Sequence, residues 1–441
     1  MRRALLLAAL TLTQSAAAFE FRGAIEGEGR VFPQRESMAG DGSAAGRIEF
    51  FQDFLGTQRI AGELFQRVDG RDPARTHGDV RELYWQTAAE TWEARAGVRR
   101  VYWGVTESRH LVDVLNQTDF VDNLDGKTRL GAPMLDLALI RGFGTLDVFA
   151  LPYQRDRTFP GRNGHPRFPF PVDAHDAQYG ARHGQRHLDF AARWSHTLGP
   201  VDFGVSWFDG LARDPRLRPC LRRGSGFAGT QNGPNCDIFS GIVVPTSPFP
   251  SALVPVLQQV GLAPSDDEVA AQIAADVRRN LVLVPFYDRL RQLSFDGQAV
   301  VGSLALKLEA LHREQRGGSW AAVTGFEYTF GDVAGSGTDV GVLAEYLYDR
   351  MDDPLRRFDD ELFVGTRVAL SDVGGTSLLA GMLVDRRRFD DRLWGVEASS
   401  RLTDDWKVSL EARLFEKIPQ DSPADFLEGE DVVTVRLERF F

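Results

Sequence analysis

Residues 431–441 read DVVTVRLERFF and alternate strictly between two kinds of side chain. One face of this stretch carries Val433, Val435, Leu437 and Phe441. The other face carries Thr434, Arg436 and Glu438, with Phe440 as its apolar exception. Side chains of a β-strand point alternately to opposite faces, so this pattern predicts a strand with one apolar and one polar face.

A chain that closes on such a strand and on Phe441 resembles the β-barrel proteins of the bacterial outer membrane. The resemblance implies two partners, which are outer-membrane lipid and the barrel-assembly machinery that recognises this kind of final strand. Arg439 departs from the pattern because it lies on the apolar face, but an arginine near a strand end can extend to the membrane interface. The alternative is a solvated strand of a soluble sandwich.

The first residues have the pattern of a secretory signal peptide. Met1, Arg2 and Arg3 are followed by an apolar run at 4–12 and by three alanines at 16–18. This predicts a signal peptide at 1–18 and a single barrel domain at 19–441. Loss of two arginines changes the formal charge from −11 to −13, which argues against a nucleic-acid partner.

From Phe19 onward, runs of about ten residues with alternating polarity are separated by connections that are alternately long and short. The predicted strands are 19–32, 46–55, 58–69, 80–90, 92–104, 133–142, 145–154, 186–197, 201–212, 286–300, 304–315, 319–330, 339–350, 359–371, 377–388, 392–402, 406–417 and 431–441. Eighteen is an even number, so both termini and the short turns are expected on the periplasmic side and the long loops outside. The fold class is therefore an all-β transmembrane antiparallel barrel.

The polar faces of these strands carry many charges, and unpaired buried charges cost several kcal/mol each. We therefore expect them to line water, as in a barrel that is wide enough to leave a channel. The pore-lining candidates are Arg193, Glu309, Arg313, Glu345, Glu397, Arg401, Glu411 and Arg413. Such a mixed set predicts slight charge selectivity without fixing its sign.

Residues 102–125 contain the most distinctive motif. Trp103-Gly104 is followed, within two dozen residues, by the pore-constriction candidates Asp113, Asn116, Asp119, Asp122 and Asp125. The stretch resembles a W-G-x-x-[DE] … D-x-x-N-x-x-D element of porin-like, uncharacterised proteobacterial outer-membrane families. Its interleaved apolar residues would form an exposed patch on a free loop, so we expect residues 105–131 to fold into the lumen and to narrow it. The alternatives are an external loop held by Asx turns, or a calcium site, although the spacing is not that of a known calcium loop.

Two further loops have distinctive compositions. Residues 151–187 are rich in Pro, Arg and His, and arginines near a pore mouth would attract carboxylates or phosphates. The largest insertion, 213–285, contains both cysteines, Cys220 and Cys236, which we expect to form a disulfide in an oxidising compartment. A capped helix is expected in the same insertion, from Ser265 to about Asn280.

The sequence contains no nucleophile elbow, zinc-protease, haem or phosphate-loop signature, and no enzyme activity, metal or cofactor is predicted. The preferred function is a passive outer-membrane channel for small polar or charged solutes. The alternative is an adhesin or receptor barrel with a plugged lumen. The sequence identifies neither the solute nor the oligomeric state.

Overall fold

The computed structural model describes residues 19–34, 40–123, 126–168, 170–222, 231–232, 236–238, 281–315, 317–350, 360–387, 389, 391–416, 418 and 427–441. The expected signal peptide, the expected helix at 265–280 and Asp125 lie outside these residues. In the described part of the chain, no helix is long and apolar enough to cross a membrane.

Eighteen antiparallel strands form one closed sheet, which confirms the predicted fold class. They are β1 (Glu20–Val31), β2 (Gly40–Phe54), β3 (Gln58–Asp69), β4 (His77–Ala89), β5 (Trp92–Arg99), β6 (Ala132–Arg141), β7 (Gly144–Leu151), β8 (Asp189–Leu198), β9 (Val201–Leu211), β10 (Arg289–Val301), β11 (Leu304–Glu314), β12 (Ser319–Phe330), β13 (Thr338–Asp349), β14 (Asp360–Leu370), β15 (Ser377–Asp385), β16 (Arg392–Arg401), β17 (Trp406–Glu416) and β18 (Val432–Phe440). Each of the eighteen predicted runs overlaps one of these strands.

The barrel closes where β18 pairs with β1, from Ala24↔Phe440 to Val31↔Val433. Beyond this ladder, the Phe441 N–H donates to the Gly23 carbonyl at 3.0 Å, and the Gly23 N–H donates to the Phe441 carbonyl at 2.9 Å. Every barrel strand therefore has two neighbours, and the barrel sheet exposes no unpaired edge.

The two faces of the wall follow the predicted alternation. On β11, Leu306 and Leu308 are exposed on the outside, whereas Glu309 is fully buried inside. On β18, Val435 and Leu437 are exposed, whereas Thr434 is buried. Aromatic side chains are exposed on the outer face as well, among them Trp207, Trp320, Tyr328, Phe330 and Trp394. The outer wall is therefore apolar and the inner wall polar.

The connections divide between the two ends of the barrel. Residues 55–57, 90–91, 142–143, 199–200 and 302–303 are short turns at one end, which we call the turn end. The long connections 100–131, 152–188 and 212–288 all leave from the other end, the loop end. This arrangement is the one that the even strand number predicts.

Several predicted boundaries are wrong, and β2 begins at Gly40, six residues before its predicted start. Strand β5 ends at Arg99 rather than at Gly104, because the side chain of Asn116 replaces the next strand partner. The predicted run 286–300 is split at Asp288: β10 begins at Arg289, while Leu281–Tyr287 belongs to a separate five-stranded sheet. The other strands of that sheet are Gln178–Tyr179, Arg216–Arg222, Gln231–Asn232 and Cys236–Ile238.

Candidate functional site in the barrel lumen

We name residues 100–131 the inner segment. One side chain, that of Asn116, joins the two ends of this segment. Asn116 is fully buried, and its Nδ2 donates to the carbonyls of Arg99 (2.7 Å) and Leu130 (3.0 Å). Its Oδ1 accepts a hydrogen bond from the Val101 N–H at 2.8 Å. The candidate Asn116 therefore joins the ends of β5 and β6 through the loop between them and does not face the lumen water.

The apolar residues of the inner segment pack on one wall of the barrel. Trp103, Val112, Val114 and Leu115 form a single buried cluster with lumen-facing residues of β6 to β10. The wall side of this cluster includes Met134, Phe149, Ala191, Phe208 and Leu290. Removing these side chains from water stabilises the inward fold by roughly 25 cal/mol for each Å² of apolar surface.

The part of the wall next to β10 holds the inner segment through two carboxylates. Glu309 on β11 accepts hydrogen bonds from the N–H groups of Val105 (2.8 Å) and Thr106 (3.0 Å) and from the Thr106 hydroxyl (2.6 Å). Glu345 on β13 accepts from the N–H groups of Glu107 and Ser108, both at 2.8 Å. The inner segment thus extends from β6–β10 to the adjoining part of the wall at β11 and β13.

The three acidic candidates of the inner segment that the structure describes lie beside arginines. Asp113 lies 2.9 Å from Arg129, Asp119 lies 2.6 Å from Arg81, and Asp122 lies 3.0 Å from Arg67. Asp119 is fully buried and also accepts a hydrogen bond from the Thr158 hydroxyl, so it does not face the water path, contrary to expectation. Asp113 and Asp122 line the main cavity.

The pKa values of the buried acids Asp113 and Asp119 are shifted in opposite directions. Burial raises the pKa of Asp113 to about 6, although the nearby Arg129 opposes the shift. Burial would also raise the pKa of Asp119, but the hydrogen bond from His77 and the charge of Arg81 hold that pKa below its usual range. The charge of Asp113 therefore changes near neutral pH.

The eight pore-lining candidates lie in three regions of the barrel: the main cavity, the wall beneath the inner segment, and the turn end. Arg313, Glu397, Glu411 and Arg413 line the main cavity. Glu309 and Glu345 are buried beneath the inner segment, and Arg193 lies under it with its guanidinium 5.4 Å from the Trp103 ring centre. Arg401 lies near the turn end and contacts the Phe440 ring.

The main cavity has a volume of about 580 Å³ and lies between the inner segment, the β11–β18 wall and the residues near 160–168. Seven acidic residues line it: Asp72, Glu107, Asp113, Asp122, Asp214, Glu397 and Glu411. Eleven basic residues line it: Arg30, Arg75, Arg109, Lys127, Arg129, Arg157, Arg167, Arg213, Arg313, Arg413 and Arg436. The lumen can therefore offer several hydrogen-bond donors to a solute.

Sequence reasoning missed the arginine cluster around Glu28. Arg75 and Arg436 each lie 2.8 Å from this carboxylate, and Arg67 lies 3.5 Å from it. Arg67 and Arg436 have the inward parity of their strands, so alternation alone could have found them. Arg75 lies in the β3–β4 connection, where no periodic pattern exists.

The loop at 151–187 packs against the barrel mouth by hydrogen bonds. Arg155 lies 2.7 Å from Asp79, and the Tyr179 hydroxyl donates to Asp156 at 2.8 Å. His187 contacts Asp189 at 2.8 Å. Among the described residues, no group of three or more His, Cys, Asp or Glu side chains is placed to hold a metal ion.

Comparison with known proteins gives only distant likenesses. No family model matches the chain, and no curated protein matches it. Among solved structures, the chain is similar to a triple mutant of Rhodopseudomonas blastica porin, with 12% identity and a TM-score of 0.38, over 96% of this chain and 100% of the porin. It is also similar to OprB of Pseudomonas putida at high pH, with 10% identity and a TM-score of 0.44, over 96% of this chain and 94% of OprB.

Proposed function

We propose that this barrel is a passive outer-membrane channel for small polar or charged solutes. The observation that carries the proposal is the lumen, where a charged cavity of about 580 Å³ lies beside a segment held on both walls. A lumen filled for structural purposes alone would pair its charges away from water, whereas Glu397 and Lys127 keep a third or more of their side chains exposed.

The outer wall supports a membrane location. Exposed apolar side chains cover the outward faces of the strands, and such a surface suits lipid contact. In this orientation the turn end is periplasmic and the loop end is external. The closing strand β18, with Phe441, would be recognised by the barrel-assembly machinery.

The inner segment is proposed as the constriction of the channel. It lies across the lumen, and its Lys127 contacts Glu397 on β16 at 3.0 Å. Its Glu107 accepts a hydrogen bond from Arg367 on β14 at 2.7 Å. These contacts narrow the water path between the inner segment and β14–β17.

Conductance of the purified full-length protein in planar bilayers tests the proposal. We expect stepwise current increases in KCl, because a charged aqueous lumen admits hydrated ions. Reversal potentials in a salt gradient should show modest selectivity. Near-ideal selectivity for one ion would contradict a lumen of mixed charge.

An adhesin or receptor barrel is the second candidate. It is favoured by the large structures at the loop end, including the five-stranded sheet built from the connections 152–188 and 212–288. This function predicts protein that inserts into bilayers without conductance and that binds to surfaces through the loop end. Absence of current steps from protein that shows the heat-modifiable mobility of a folded barrel would favour it.

A further inference from the structure

Four large apolar side chains form a row across the inner wall. Phe363 on β14 pairs with Leu383 on β15, Leu383 pairs with Leu393 on β16, and Leu393 pairs with Phe415 on β17. All four line the main cavity, and we name them the apolar band. Their positions have the parity of the polar inner face, so the band interrupts the charged lining.

A row of glycines lies next to the band, one lumen-facing position nearer the turn end. Gly365 pairs with Gly381, and Gly381 pairs with Gly395. A Cβ atom at Gly381 would lie 2.5 Å from the Phe363 ring, and one at Gly395 would lie 2.6 Å from the Arg413 guanidinium. The missing side chains let the ring and the guanidinium lie against the wall.

An apolar row on the wall of an aqueous lumen has a cost. Apolar surface in water is unfavourable, and contiguous exposed apolar patches usually mark binding surfaces. Ile418 and Leu427 pack against the Phe415 end of the band. Phe363 and Leu383 at the other end are only half-buried and line the cavity.

Positive charge lies beside the band. Arg413 occupies the next lumen-facing position below Phe415, at a strand distance of roughly 6.7 Å for two residues. It lies 2.7 Å from Glu397, which also contacts Lys127, and 3.2 Å from Glu411, which also contacts Arg436. Three cations thus share two carboxylates at this level of the cavity.

The lining of the whole cavity also contains more basic than acidic residues. Eleven basic residues and seven acidic residues line it, although the chain has a net charge of −11. Acidic residues outside the cavity lining neutralise part of this excess of basic residues. Arg75 contacts Asp69, and Arg313 contacts Asp349. The guanidinium groups remain nearer to the cavity than their acidic partners, which favours anions moderately.

We propose that the cavity selects organic monocarboxylates with an apolar, preferably aromatic, body. The apolar body would lie on Phe363 and Leu383, and the carboxylate would join the group in which Arg413, Lys127 and Arg436 share Glu397 and Glu411. The Arg413 guanidinium lies against Gly395, which pairs with Gly381, two residues from Leu383. One strand spacing and two residues along the strand then separate the cation from the band by roughly 8 Å, which suits an anion the size of phenylacetate. This inference rests on the proposed channel function and specifies its solute.

Current blockade in bilayers tests the inference with three probes. Phenylacetate has both features, acetate lacks the apolar body, and 2-phenylethanol lacks the charge. In KCl we expect phenylacetate to reduce the single-channel current at the lowest concentration of the three. Equal half-blocking concentrations for phenylacetate and acetate, with normal KCl conductance, would overturn the inference and leave the channel function intact.

Variants locate the site. Phe363→Ala should raise the half-blocking concentration of phenylacetate about tenfold, because the ring of phenylacetate loses most of its apolar contact. The half-blocking concentration of acetate should stay unchanged. Phe363→Leu keeps an apolar side chain and serves as the matched control. Arg413→Gln should weaken blockade by phenylacetate but not by 2-phenylethanol. Heat-modifiable mobility shows that each variant is folded, and unchanged blockade in folded Phe363→Ala would refute the assigned site.

Binding separates the two proposals if no current is seen. Isothermal titration of the detergent-solubilised protein with phenylacetate measures the site without conduction. Binding that is lost in Phe363→Ala would support the ligand class while the channel function fails. Absence of binding would refute both the site and its ligand.

Discussion

At the scale of single residues, the contact between the inner segment and β11 depends on Glu309. This side chain is fully buried, and one of its carboxylate oxygens accepts three of the hydrogen bonds described above. Its other oxygen accepts from the Val112 N–H at 3.2 Å. Both oxygens of Glu309 are therefore used to hold the backbone of the inner segment in place.

We expect Glu309→Gln to loosen the inner segment. The amide keeps one acceptor oxygen but turns an NH₂ group toward backbone donors, and each lost bond to a charged acceptor costs about 2 kcal/mol. The measurement is single-channel conductance, which should increase and become noisier. Glu314→Gln on the same strand is the control, because Glu314 is 63% exposed and contacts Arg291 instead. Identical traces for the two variants would contradict the role of Glu309.

Asp113 predicts a pH dependence. Burial raises its pKa to about 6 from an ordinary value of 3.8, so the folded protein holds this proton more tightly than the unfolded chain. The contribution of Asp113 to stability is therefore greatest below about pH 4 and is lost as the pH rises through 6. Over the same window, protonation leaves the charge of Arg129 less compensated, and the channel should become more anion-selective between pH 7 and pH 5.

Asp113→Asn removes this titration. At pH 7 the variant should show the selectivity that the wild type reaches at pH 5, with little further change on acidification. Reversal potentials at both pH values provide the measurement. His110 does not interfere, because burial lowers its pKa to about 4. A pH step that persists in Asp113→Asn would assign the titration to another group.

At the scale of elements, the five-stranded sheet makes a disulfide between Cys220 and Cys236 testable. In its register Cys220 pairs with Ile238, and Arg222 pairs with Cys236. The two cysteine positions therefore lie on adjacent antiparallel strands, two residues out of direct register. Mass spectrometry of unreduced digests should show one cross-linked peptide. Two thiols that alkylate without prior reduction would contradict the expectation.

The inner segment also shows what sequence reasoning could predict for an element. Apolar residues between its acids indicated a buried position, and the cluster around Trp103 has that position. The orientation of each acid could not be read, because no helix or strand period relates them. Asp119, which belongs to the inner segment, is buried beside Arg81 on β4, and only the tertiary fold brings these two residues together.

At the scale of the whole molecule, closure of the barrel depends on ion pairs as well as on the backbone ladder. Arg436 on β18 contacts Glu28 on β1 and Glu411 on β17, and so joins three neighbouring strands. Arg436→Met should lower the free energy of unfolding by about 2 kcal/mol. The temperature at which the folded electrophoretic band disappears measures this change.

Arg439→Met is the matched control for Arg436→Met. Arg439 lies on the same strand but on the outer face, over the Trp406 ring at 5.6 Å. Loss of an exposed cation–π contact costs about 1 kcal/mol or less. A larger effect for Arg439→Met than for Arg436→Met would show that the inner ion pairs do not stabilise the closed barrel.

The strand number and the closed barrel could be predicted from the sequence because alternation is a local signal. The apolar band could not be predicted in this way. Its members Phe363 and Leu383 occur in strands whose outward residues are apolar too, so the local pattern there shows no contrast between the faces. Only the register of four strands brings the band together with Arg413.

The inner segment has a mechanical consequence. A wide, thin-walled cylinder resists flattening poorly, since its cross-section can become oval with little change in any single hydrogen bond. Here the inner segment joins opposite walls, since it packs on β6–β10 at one end and reaches Glu397 on β16 through Lys127 at the other. Lateral pressure from the surrounding lipid is then borne across the diameter, and the aperture keeps its shape when the thickness or tension of the membrane changes.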